Sequence, residues 1–152
     1  WSKNKKYWKN GHDYGHFLGM KSAKALKIGV YKVQIRVYYE DTDCGNVVYY
    51  ANYLKFCERA RSEIFFQKGL SPHNGDEFFV VKSVQAEYLK SAVFGDLLEV
   101  KTKLIEKKAA SIVMEQDVYR NDELLFQGTF KLAFLKNYKP SKIPKELFEI
   151  FN

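Results

Sequence analysis

The sequence predicts an α+β fold in which one long helix lies against a curved antiparallel sheet. Three observations predict it. A single long stretch repeats its apolar residues at spacings of three and four, the mark of a half-buried helix. The other patterned stretches alternate with period two and mostly follow one another across short turns, which calls for antiparallel pairing. At 152 residues, 46% of them hydrophobic and 16% aromatic, the chain is long enough to build one core and short for two.

The elements follow in order. Residues 1–19 read as a basic tail upstream of a start near Met20, with one domain over 20–152. Up to residue 27 there are seven lysines (3, 5, 6, 9, 21, 24 and 27) against the single acid Asp13, so most of the net charge of +7 sits there and no nucleic-acid partner is expected. From residue 31 to 39, Val33, Ile35, Val37 and Tyr39 alternate with Lys32, Gln34, Arg36 and Tyr38 as a half-buried strand does. A polar loop follows over 40–46, and the spacing then predicts a helix over 50–68. Tyr53, Cys57, Ala60, Ile64 and Phe65 form its buried stripe, and Gly69 stops it. Such a helix is roughly 28 Å long, enough to cross a whole sheet.

After a loop at 71–77 containing Pro72 and Gly75, strand patterns run to residue 136. The first starts at Phe79, the next cover 98–105 and 111–120, and the last, after an Asn121-Asp122 turn, covers 124–135. Pro144 opens a short final helix over 145–151.

Several chemistries are excluded. No apolar run approaches the roughly 20 residues of a membrane span. Cys44 and Cys57 make neither a disulfide framework nor a metal pattern, so a reducing, cytoplasmic setting is expected, with no metal. His73 is the only histidine after the tail, no Gly-x-Ser-x-Gly surrounds a serine, and there is no glycine-rich phosphate loop.

The informative segment joins the first strand to the helix: Tyr-Glu-Asp-Thr-Asp-Cys-Gly-Asn-Val-Val-Tyr-Tyr-Ala-Asn-Tyr over 39–53. Glu40, Asp41 and Asp43 stand before the helix start. Acids there commonly cap turns and helices. The apolar run Val47-Val48-Tyr49-Tyr50 is unusual in an exposed loop, and Val48 and Tyr49 are candidate walls of a pocket beside the free N–H groups of the helix start. Those donors suit the oxyanion formed when a carbonyl is attacked, and a neighbouring carboxylate can activate water or attack directly.

Residues 36–63 closely resemble the signature of YbgC-type acyl-CoA thioesterases, in the 4-hydroxybenzoyl-CoA thioesterase family of hot-dog folds, and looser similarity at Tyr88, Ala92 and Gly95-Asp96 extends it to about residue 135. The resemblance implies hydrolysis of an acyl-CoA to free acid and CoA with no cofactor beyond that substrate. Asp43 matches the family's catalytic carboxylate, as general base or nucleophile, and Asp41 an acid read as structural. Tyr50 matches the residue whose backbone N–H polarises the thioester carbonyl. Many YbgC-type members carry His there, a change that a backbone role survives. Asn46 replaces a usual Gly and tolerates a left-handed φ better than most residues.

Other residues also fit plainer roles. Glu58, two turns into the helix, is a candidate substrate-binding group that also fits a solvated face. Cys44 lacks a nearby His and reads as inert. Lys107-Lys108 could meet CoA phosphates or be a charged turn. Phe65-Phe66 and the Tyr49, Tyr50, Tyr53 group read first as core. The competing functional class is a noncatalytic acyl-chain or protein-binding hot-dog module, for which Asp43 would be unnecessary. A small sheet curled on one helix leaves an exposed edge, so a homodimer or tetramer is expected.

Overall fold

The computed structural model describes residues 29–151, so the expectations for the tail lie outside the described residues. The chain forms β1 (Tyr31–Arg36), a 3₁₀ turn (Tyr39–Asp41), α1 (Asn52–Phe66), β2 (His73–Asn74), β3 (Glu77–Tyr88), β4 (Leu97–Lys107), β5 (Ser111–Arg120), β6 (Glu123–Lys136), β7 (Lys139–Pro140) and α2 (Lys145–Glu149). The sheet is antiparallel in the order β1-β4-β5-β6-β3-β2, with β7 folded back on β6.

The helix ends as its sequence implies. Gly69 takes φ +70°, its N–H donates to the Phe66 carbonyl, and Leu70 N–H donates to that of Phe65, a Schellman closure. The stripe Tyr53, Phe56, Cys57, Ala60, Ile64 and Phe65 is buried against the concave face of the sheet. Phe126, Phe130 and Phe134 of β6 receive it. Tyr53 stacks on Phe126 with ring centres 5.3 Å apart, the Arg61 guanidinium lies 4.7 Å from the Phe130 ring centre, and Phe65 reaches Phe134 through Phe79. Gly128 lies between these phenylalanines because a Cβ there would come within 2.7 Å of Phe130 and 2.9 Å of Phe126.

Register irregularities at Val81/Ser83, Leu104/Glu106 and Val118/Tyr119 bend the sheet around the helix. The one in β3 swaps which residues face inward. Phe79 and Val81 pair with Phe134 and Leu132, whereas beyond Lys82 it is Val84, Ala86 and Tyr88 that pair with Phe130, Gly128 and Phe126. Three aromatic assignments need correcting. Phe66 is 55% exposed, Tyr50 61% and Tyr49 44%, while Phe65 and Tyr53 are buried. Phe66 falls outside the stripe that meets the sheet, and Tyr49 and Tyr50 precede the helix on its open end.

On the other face of the sheet Asp117 is 1% exposed, and neither carboxylate oxygen receives a hydrogen bond of normal geometry among the described residues, the Gln127 side chain giving only weak support. Burial, with a smaller contribution from Glu115, pushes its carboxyl up to about 8; Gln127 and Lys101, its cross-strand neighbours, only partly oppose this. An unfolded aspartate titrates near 3.9, so the native state binds the extra proton between about pH 4 and pH 8. Stability from this group is therefore full below pH 4 and is lost as pH rises through 8. Asp117→Asn should melt several degrees above the parent at pH 9, with the gap closing toward pH 5. Parallel melting curves for the two proteins across that range would contradict this.

Candidate active site

The segment between β1 and α1 is folded by Asp41. Its buried carboxylate accepts the Tyr38 N–H at 2.8 Å, and its carbonyl accepts both Tyr49 N–H and Asn52 Nδ2 at 2.9 Å. One residue thus ties the strand end to the helix start. Thr42 and Val48 bridge as a short antiparallel pair, and between them Asp43 heads a tight turn. Asp43 N–H donates to the Val47 carbonyl at 3.0 Å, and Asn46 N–H returns to the Asp43 carbonyl at 3.0 Å. Asn46 stands at φ 60°, the left-handed position that asparagine accepts more readily than most residues.

The Asp43 carboxylate sits exposed at the tip of this turn and accepts Gly45 N–H at 2.8 Å. Gly45 allows that approach, since a Cβ there would meet Asp43 Oδ1 at 3.1 Å. The turn-forming role that sequence alone allows for this acid is therefore present, and it leaves the second carboxylate oxygen outside that hydrogen bond.

Val48 is buried, and its N–H donates to the Ala92 carbonyl at 2.9 Å. Ala92 N–H in turn donates to the Tyr53 hydroxyl at 2.9 Å. The loop carrying Ala92 is braced by Arg120, which reaches Asp96 at 2.8 Å and Glu123 at 2.5 Å, and by Lys90 on Glu123 at 2.7 Å. Tyr49 and Tyr50 stand exposed with ring centres 4.9 Å apart. The Tyr49 phenol is pushed up, chiefly by the adjacent Tyr50 hydroxyl and in smaller part by Asp43, so that carboxylate lies within electrostatic reach of the pair. Tyr88, at the end of β3, donates its hydroxyl to the Tyr50 carbonyl at 3.0 Å and packs edge-on against Tyr50, Tyr53 and Phe126. The Tyr50 N–H, at the open end of the helix, has no acceptor among the described residues.

The structure thus gathers Asp43, Val48, Tyr49 and Tyr50 at the N-terminal end of α1. Glu58 lies elsewhere, two turns on, exposed and accepting the Ser62 hydroxyl at 2.7 Å. It borders a cavity of about 310 Å³ between the C-terminal half of α1, β3 and the inner face of β5 and β6. Phe65, Ile112, Met114 and Leu132 form its buried floor, and Glu58, Ser62 and His73 stand near its mouth. Lys107 is tied to α2, donating to the Phe148 carbonyl at 2.9 Å, and Lys108 pairs with Glu106 at 3.2 Å. Cys57 is buried with its thiol pushed up to about 12, chiefly by burial, which makes it inert. Tyr88, Ala92 and Asn52 position the site without having been singled out as site residues. For Tyr88 and Ala92 the only signal in the sequence is their looser match to the family. Among the described residues no group of three or more His, Cys, Asp or Glu could hold a metal ion, and no helix is long and apolar enough to cross a membrane.

The chain as a whole has known relatives. The thioesterase superfamily profile matches residues 45–126. Acyl-CoA thioesterase YbgC of Helicobacter pylori is 40% identical over 131 residues, which is 79% of this chain and 98% of that protein. The Haemophilus influenzae protein of the same name is 43% identical over 125 residues, 78% of this chain and 91% of the relative. Among solved structures, a probable thioesterase from Bartonella henselae superposes with a TM-score of 0.72 at 31% identity, over 76% of this chain and all (100%) of the other. A mutant 4-hydroxybenzoyl CoA thioesterase complexed with 4-hydroxybenzoyl CoA has a TM-score of 0.73 at 20% identity, over 81% of this chain and 99% of the other, and shares the fold. With a curled antiparallel sheet around one main helix and these relatives along most of its length, the chain belongs to the thioesterase superfamily, in the YbgC type, and is a hot-dog-fold thioester hydrolase.

Proposed function

We propose that the protein hydrolyses acyl-CoA thioesters to free acid and CoA, with Asp43 as its catalytic carboxylate. The observation that carries this is the juxtaposition of an exposed carboxylate on a braced turn with an unpaired N–H at the helix start, the scaffolding around them being fixed by hydrogen bonds of Asp41 and Ala92. The Tyr50 N–H donates to the thioester oxygen as it becomes an oxyanion. Asp43 either takes a proton from the attacking water or adds to the carbonyl carbon first, its adduct then being hydrolysed. In both routes a carbon–oxygen bond forms, the carbon–sulfur bond breaks, and the thiolate leaves and takes up a proton. Thiolate is a good enough leaving group that one carboxylate and one oxyanion donor suffice. Val48 and Tyr49 support the turn and flank the reacting carbon. Product analysis tests the reading: one free acid and one CoA should appear per thioester consumed, and acyl transfer to another acceptor without free acid would contradict it.

The active form is a homodimer joined along β3, alone or paired into a tetramer. Beyond Phe78, where β2 ends, the outer edge of β3 has no strand partner among the described residues, and Val81, Val84 and Tyr88 are exposed along it. Two copies of β3 running antiparallel would set the Phe79–Val81 end of one strand against the Ala86–Tyr88 end of the other. The cavity beside Glu58 in one protomer then opens next to the Tyr50 end of its partner's helix. Sedimentation equilibrium at micromolar protein should give at least twice the chain mass of 17.8 kDa; a monomer would contradict it.

A further inference from the structure

We propose that the cavity between α1 and β3 is the acyl-chain pocket and that it selects straight-chain acyl groups of about eight to twelve carbons; this rests on the acyl-CoA reading above. Its volume is about 310 Å³. A 150 Å³ apolar cavity holds one benzene, so roughly 25 Å³ serves each carbon and the space takes about twelve. The floor is apolar and flexible in shape, with Ile112, Met114 and Leu132 facing Phe65 and Phe79. A thioether side chain of this kind adapts to a chain rather than to one rigid ring. The charge of Arg61, the one cation on the wall, is engaged within the protein by Gln116 at 2.7 Å and by the Phe130 ring. The polar groups Glu58, Ser62 and His73 lie near the mouth, which in the dimer proposed above opens next to the Tyr50 end of the partner's helix, so a chain held in the cavity would present its thioester there.

Each methylene moved from water into such a pocket tightens binding roughly fourfold, until the pocket is full. Initial rates of CoA release from acetyl-, hexanoyl-, decanoyl-, palmitoyl- and benzoyl-CoA test the proposal. The expected kcat/KM rises through hexanoyl to decanoyl and does not rise further for palmitoyl. Ser62→Phe places a ring in the mouth from a half-buried helix position, so the fold is retained, and it should lower the decanoyl-to-acetyl ratio at least tenfold. Met114→Ala deepens the floor and should move the optimum toward palmitoyl. A parent enzyme that prefers acetyl- or benzoyl-CoA, or a decanoyl-to-acetyl ratio unmoved by Ser62→Phe, overturns the pocket assignment while leaving the thioesterase reading intact. Release of CoA from none of the five by folded protein overturns both.

Discussion

Asp43→Asn is expected to reduce acyl-CoA hydrolysis by about 10²–10⁴, the range over which a positioned base accelerates a reaction. The amide keeps the volume and keeps an oxygen to accept Gly45 N–H, so the turn over 43–46 should persist. The position is exposed, and the melting temperature should stay within a few degrees of the parent. Asp41→Asn provides the contrast. It weakens the buried acceptor that holds Tyr38 N–H, so it should cost more stability and less of the rate per folded molecule. A near-parental rate for Asp43→Asn would remove Asp43 from the chemistry.

Arg61→Ala should produce the largest loss of stability, on the order of 2–4 kcal/mol. The side chain is buried where α1 crosses the sheet, and burial works against its charge. It persists there because its NH1 donates to Gln116 Oε1 at 2.7 Å while Gln116 Nε2 donates to the Cys57 carbonyl and to Thr102 Oγ1, each at 2.9 Å. Truncation removes the packing on Phe130 and leaves Gln116 Oε1 buried without its donor. Arg61→Met refills the space and should recover only part of the loss. The double variant Arg61→Met, Gln116→Leu removes both polar partners and should recover most of it. Urea unfolding of these proteins together with the single variant Gln116→Leu checks this, and additive effects of Arg61→Met and Gln116→Leu in the double variant would show that the pair is not coupled.

The helix was legible because its 3.6-residue stripe from Tyr53 to Phe65 is long and uninterrupted, and the strands because each keeps a two-residue alternation over several residues; in the fold the stripe meets Phe126, Phe130 and Phe134 of β6. What periodicity cannot show is an irregularity. The inward face of β3 changes at Lys82, so one alternation describes only half of that strand. The β6–β7 hairpin turns at Asn137 and Tyr138, both at positive φ, and a tyrosine at a position that usually calls for glycine gives no turn signal. Strand 31–39 ends early at Arg36 because Asp41 draws Tyr38 N–H out of the ladder. Tyr50 and Phe66 looked like core because an aromatic residue beside an apolar stripe reads the same whether it faces the sheet or solvent. Within the site, the local turn around Asp43 could be anticipated from Asp, Gly and Asn in sequence. The braces from Tyr88 and Ala92 come from about forty residues away and become visible only in three dimensions.

The most direct test of the central claim follows thiol release from decanoyl-CoA under single-turnover conditions, with folded enzyme in excess, for the parent and for Asp43→Asn. A carboxylate-driven thioesterase gives one CoA per thioester in the parent and a rate at least a hundredfold lower in the variant, with the acyl-CoA recovered intact. Equal rates in the two proteins, or no release above the buffer rate by the parent, would contradict it.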